Sequence, residues 1–170
     1  MYNTSEPGGH VDVTATEDLT VMLSEINRKL DSVVEVTEDL GRQLESFEDL
    51  REDFVPHGYE SLAFADTAIP LGHGESMMTP TVEGRLLQAL ALQGTERVLE
   101  IGTGSGFVTA CLAQLAKAVV SVDIHEQFTR DAASRLKEKG LENVELATGD
   151  VMNGWQPEQA HDVVVVTGSV

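Results

Sequence analysis

Val98-Leu99-Glu100-Ile101-Gly102-Thr103-Gly104-Ser105-Gly106 is a short apolar run that ends on an acidic residue and breaks into a loop with glycine at every second position. The pattern reads as strand, tight turn and helix start. Glycines supply the positive φ angles of such a turn and let a ligand approach where a Cβ would collide. The helix that follows, Phe107 to about Lys117, directs its N-terminal N–H groups and the positive end of its dipole at whatever is bound. Glu100, Gly102, Thr103, Gly104, Ser105 and Gly106 are therefore candidate ligand contacts. Further carboxylates stand at the ends of later apolar runs. Asp123, followed by Ile124, is placed where a carboxylate accepts hydrogen bonds from both hydroxyls of a ribose, and Gly149-Asp150 closes the run after that. The competing role for either aspartate is to cap the helix behind it.

Other chemistries have less support. The five histidines, at positions 10, 57, 73, 125 and 161, show no metal-ligand spacing, and no metal site is expected. The single cysteine, Cys111, lies in the apolar stretch Ala110-Cys111-Leu112-Ala113, which reads as a buried, inert thiol. A formal charge of −18 repels polyanions and argues against a nucleic-acid partner. No apolar run approaches the ~20 residues that span a bilayer, and the polar N-terminus lacks the regions of a signal peptide. A cytoplasmic protein with no membrane partner is the expectation.

Four segments must position these residues. Residues 1–13 have the composition of a mobile terminus. Residues 14–53 form a helical segment: Thr14-Ala15-Thr16-Glu17 has capping-box spacing, and Leu19, Leu23, Ile26, Leu30, Val33, Leu40, Leu44, Phe47 and Phe54 recur in steps of three and four. The β-branched cluster Val33, Val34, Val36, Thr37 makes two helices joined near residue 35 as plausible as one. Packing within one chain is preferred for this stripe, since acidic residues outnumber the basic ones that would pair across a seam; a dimerising coiled coil through 14–53 is the alternative. Residues 54–94 read as an irregular shaped loop anchored by Phe64, Ile69 and Leu71, then a helix from about Thr81 to Leu92 with Val82, Leu86, Leu87 and Leu90 on one side. Residues 95–170 alternate strand and helix, with strands at 118–122, 144–147 and 163–167 and a helix from about Glu126 to Lys139 closed by Gly140. This βαβαβ order gives a parallel sheet with its ligand at the carboxyl ends of the strands.

The G-x-G-x-G spacing behind Glu100 resembles the first motif of S-adenosylmethionine-dependent methyltransferases more than the dinucleotide fingerprint G-x-G-x-x-G. From about Arg51 onward the chain resembles the protein-L-isoaspartate (D-aspartate) O-methyltransferase family in its bacterial branch. The resemblance is carried by Arg51-Glu52-Asp53-Phe54-Val55-Pro56, Gly72-His73-Gly74, the glycine-rich loop and Gly154-Trp155. It implies an α/β, Rossmann-like methyltransferase fold with a partial parallel sheet and an N-terminal helical segment. It further implies S-adenosyl-L-methionine as cofactor and isoaspartyl-containing proteins or peptides as substrate, the alternatives being a methyltransferase of the same fold with a different acceptor or a truncated, cofactor-binding pseudo-enzyme. Glu100, Gly102 to Gly106, Asp123, Ile124, Gly149 and Asp150 would then contact the cofactor.

Methyl transfer to a carboxylate needs no general base at pH 7, because the acceptor is already ionised. Alignment and water exclusion carry the rate, so the substrate-side loop should decide the acceptor. That loop departs from the family's Gly-Gln-Thr-Ile-Ser-x-Pro. Aligned on Gly74 and Pro80, Met78 occupies the position of the family's serine, and Ser76 is the nearest hydroxyl. Ser76 and Met78 are accordingly the candidate catalytic positions. Met77 and Met78 are expected to pack against the cofactor. Seven strands typify the family's class and the chain stops after the fourth, so a shortened form, weakly active or inactive alone, is expected.

Overall fold

A computed structural model describes residues 21–31, 50–153 and 160–168. The expected mobile terminus, the capping box at Thr14–Glu17, the stripe positions Leu19, Val33, Leu40, Leu44 and Phe47, and Gly154-Trp155 lie outside the described residues. The chain divides into two compact units, Met1–Glu45 and Ser46–Val170. In the first, residues 21–31 form a helix, α1, on which Leu23, Ile26 and Leu30 are exposed.

In the second unit a helical turn over 50–54 leads to a short 3-10 helix, Glu60–Leu62, and then to a hairpin of β1, Ile69–Gly72, and β2, Glu75–Met77. Helix α2, Pro80–Leu90, follows, and the alternation β3 (Arg97–Ile101), α3 (Phe107–Leu115), β4 (Ala118–Asp123), α4 (Glu126–Glu138), β5 (Val144–Thr148), β6 (Val163–Val166) completes the described chain. The four later strands form a parallel sheet in the order β5-β4-β3-β6. This is a Rossmann-like α/β arrangement, with β3 and β4 in the interior of the sheet. In β6, Val165 turns into the core while Val164 and Val166 stay half exposed on the opposite face, so among the described residues the strand is covered on one face only.

Burial follows residue pattern. Every residue of α3 from Phe107 to Ala113 is buried, as expected of a helix apolar on all sides, and Cys111 is fully buried with its thiol pushed well above the ordinary value by desolvation. Helix α4 is one-sided instead: Phe128, Ala132 and Leu136, four residues apart, are its buried apolar residues, the last two in the core. The core joins Phe54 and Ile69 to Val98, Leu112, Val119 and Val165, tying hairpin to sheet.

Three expectations need correction. The stretch expected as irregular loop contains the β1–β2 hairpin, which turns through Gly72, His73 and Gly74, all with positive φ. Its strands, of four and three residues, are too short to leave a periodic trace. Phe64 is no anchor, being 53% exposed, whereas Ile69 is fully buried and Leu71 packs against the core. In α2 the inward residue beside Leu86, Leu87 and Leu90 is Glu83; Val82 is exposed.

Candidate functional site

The glycine loop forms the floor of the site. Gly102, at φ 107°, donates to the Val122 carbonyl, and a Cβ built on it would lie 2.2 Å from the Gly168 nitrogen. Two backbones therefore meet there with no room for a side chain. Gly106, at φ 87°, immediately precedes α3, and its Cβ would come within 2.8 Å of the Ala132 Cβ on α4. Asp123 ends β4 with its carboxylate accepting from the Gly104 N–H through Oδ2 and from the His125 N–H through Oδ1, each at 2.9 Å. One carboxylate thus joins the loop after β3 to the start of α4.

Beneath the loop lies a polar network that the sequence did not announce. Glu100 is fully buried, accepting from the Thr109 hydroxyl at 2.5 Å and from Thr167 at 3.3 Å. Thr103 and Ser121 share a hydrogen bond of 2.6 Å beside it. Burial pushes the Glu100 carboxyl up to about 7, against the opposing pull of hydrogen bonds from Thr109, Ser121 and Thr167, while the nearby Asp123 charge adds to the rise. The available signal was Ser121 itself, a polar residue alternating with Val119 on the buried side of an apolar strand.

The hairpin and α2 form the wall. Arg51, itself buried, donates to the Ala63 carbonyl at 2.5 Å and to the Met78 carbonyl at 3.1 Å, and pairs with the carboxylate of Glu83. Its guanidinium also lies 5.0 Å from the Phe107 ring centre. One side chain thereby holds the 50–54 turn, the exit of β2 and α2 together. Burial pushes Glu83 up to about 7 while Arg51 pulls the other way.

Between floor and wall lies a cavity of about 520 Å³ at the carboxyl ends of β3, β4 and β6. Of the expected cofactor contacts, Gly102, Gly104, Asp123, Ile124, Gly149 and Asp150 line it. Glu100, Thr103, Ser105 and Gly106 do not: Glu100 lies beneath the loop, and the other three belong to the loop but turn away from the cavity, the Ser105 carbonyl accepting from Arg135 at 3.0 Å. Asp150 accepts from the Met152 N–H at 2.9 Å, a turn-forming bond consistent with the capping role weighed for it. From the wall, Ser76 lines the cavity but Met78 does not, and Met77 is buried in the core. Leu71, expected only as an anchor, lines it as well, as do Glu75, His125 and Phe128, none of which the sequence marked as a ligand contact. Among the described residues no helix is long and apolar enough to cross a membrane, and no group of three or more His, Cys, Asp or Glu is arranged to hold a metal ion.

A profile of the protein-L-isoaspartate(D-aspartate) O-methyltransferase family matches residues 23–170. The chain is 41% identical over 119 residues to the protein-L-isoaspartate O-methyltransferase of Myxococcus xanthus, covering 70% of this chain and 56% of that protein. It is 42% identical over 117 residues to that of Opitutus terrae, covering 69% and 50%. The chain spans about half the length of the curated relatives it matches. A solved protein-L-isoaspartate O-methyltransferase superposes with a TM-score of 0.59 at 27% identity, over 69% of this chain and 39% of that one. With the Rossmann-like sheet, the glycine floor and the strand-end carboxylate already in place, the match fixes the assignment: this chain belongs to the protein-L-isoaspartate(D-aspartate) O-methyltransferase family.

Proposed function

We propose that this protein is an S-adenosylmethionine-dependent carboxyl O-methyltransferase acting on isoaspartyl residues of damaged proteins or peptides. The observation that carries the reading is the Asp123 carboxylate, which lines the cavity while held by two backbone N–H groups. Each of its oxygens keeps acceptor capacity for a ribose hydroxyl. The other lining residues fit the same group: Gly102 and Gly104 present bare backbone, and Ile124, Val151 and Met152 offer apolar surface for a base. Bound there, the cofactor supplies an electrophilic methyl group on a sulfonium.

The chain's own residues then have three tasks. Asp123 and the glycine loop orient the nucleoside end. Leu71 and Phe128 exclude water that would solvate the acceptor. The Ser76 hydroxyl, on the wall, donates to an acceptor carboxylate oxygen and aligns it. No proton needs removal, since the acceptor carboxylate is ionised at pH 7.

The same proposal takes the working unit as a monomer, with no nucleic-acid or membrane partner, in the cytoplasm. The charge of −18 supports the exclusion of polyanions, and a lone buried thiol fits a reducing compartment. Calorimetry with S-adenosylmethionine and transfer of radiolabel to an isoaspartyl peptide, with its aspartyl twin as control, test the reading. Weak labelling of the isoaspartyl peptide, with none of its aspartyl twin, is expected. Cofactor binding without transfer to either peptide would assign a different acceptor, and absence of binding would overturn the cofactor assignment.

A further inference from the structure

The hairpin turn is joined to the floor by rings. His73, at the tip between β1 and β2, stacks on His125 with centroids 4.3 Å apart and planes 18° from parallel. Phe128 stands edge-on to both, at 5.5 Å from His73 and 5.2 Å from His125. His125 and Phe128 line the cavity, and the His125 N–H is one of the two donors that hold the Asp123 carboxylate. His73 takes a left-handed backbone, φ 56°, and bears the side chain of the turn between two glycines. Although exposed, this residue lays its ring against His125 at the N-terminus of α4.

We propose that His73 is a positioning residue, a ring clamp that fastens the β1–β2 wall to α4 and so keeps Leu71, Glu75 and Ser76 closed against the glycine floor. The clamp acts through two aromatic contacts rather than through the backbone conformation of the turn. Two substitutions separate these causes. Asn tolerates the left-handed backbone but has no ring; Phe keeps a ring but has no special tolerance for that conformation.

The first readout is amide hydrogen exchange across residues 69–77 in the ligand-free chain, which stands independently of any cofactor. In H73N these amides should exchange about tenfold faster, the scale of losing two ring contacts, while H73F stays close to wild type. Exchange in H73N equal to wild type overturns the clamp. So does faster exchange in H73F than in H73N, which would assign the effect to the backbone conformation of the turn.

The second readout rests on the cofactor reading above. S-adenosylmethionine should dissociate from H73N about tenfold faster, raising its KM with a much smaller change in kcat, and H73F should restore the slow rate. If wild type binds no S-adenosylmethionine, that reading fails while the exchange comparison still decides the clamp. Altered exchange with an unchanged dissociation rate would overturn the clamp's bearing on the site.

Discussion

The two sides of the cavity are held by different physics. On the floor, the chain is confined by backbone sterics and by short-range bonds: Gly102 against Gly168, the Gly104 and His125 N–H groups on Asp123, Thr109 on Glu100. On the wall, the hairpin has only seven residues of strand and is fastened to α2 and α4 by side chains distant in sequence. Arg51 reaches Glu83 and the Met78 carbonyl, and His73 reaches His125. A floor built this way tolerates few changes at its glycines. A wall built this way depends on single side chains.

The largest effect should come from the wall's central side chain. Arg51→Met leaves Glu83 buried without its cation and the Ala63 and Met78 carbonyls without a donor, a loss of about 3–5 kcal/mol. Urea unfolding should show the loss and show it growing with pH, because the orphaned carboxyl escapes part of the penalty by taking a proton. Pairing the change with Glu83→Leu should recover much of the stability. A single mutant as stable as wild type would mean that the wall is held by its backbone after all.

The floor has its own signature in pH. The Glu100 carboxyl rises from an ordinary 4.5 to about 7 in the fold, so the folded state binds its proton more tightly than the unfolded state does. The resulting stability is fully present below about pH 4.5 and is lost as pH climbs through 7, an amplitude of about 3 kcal/mol. Glu100→Gln keeps a neutral hydrogen-bonding side chain and should flatten this part of the stability profile. A mutant profile parallel to wild type would place the pH dependence elsewhere in this acidic chain.

The same division decided what could be read from sequence. Glycine spacing and strand-end carboxylates are local signals, so the floor's loop and the position of Asp123 at the end of β4 were legible. Glu83 was not. Its face partners Leu86, Leu87 and Leu90 follow it at three, four and seven residues, so Glu83 completes the inward stripe, yet hydrophobic pattern alone assigns that end to its neighbour Val82. Only Arg51, 32 residues upstream, makes a carboxylate acceptable there. The hairpin escaped notice for a related reason: its strands are short and its turn is fixed by a ring contact made some fifty residues downstream.

Within the site, Asp123→Ala should weaken S-adenosylmethionine binding by about 1–3 kcal/mol, the cost of leaving ribose hydroxyls unpaired. It also removes the acceptor for the Gly104 and His125 N–H groups, so Asp123→Asn, which keeps one carbonyl oxygen, should fall between the two. Calorimetric affinities equal across all three proteins would refute the ribose assignment.

The smallest expected effect sharpens the wall. Ser76 lines the cavity, whereas Met78 packs partly buried against the core with its carbonyl on Arg51. If the acceptor carboxylate is aligned by a hydroxyl, that hydroxyl belongs to Ser76. Ser76→Ala should then cost one hydrogen bond, about 1 kcal/mol or roughly fivefold in kcat/KM for an isoaspartyl peptide, with cofactor affinity unchanged. Met78→Ser places its hydroxyl away from the cavity and should leave turnover near wild type while lowering stability through lost packing. Faster methylation by Met78→Ser would show that the wall rearranges around the acceptor and brings residue 78 into the cavity. Unchanged turnover in Ser76→Ala would leave the acceptor's alignment to backbone donors, and the wall would then contribute shape alone.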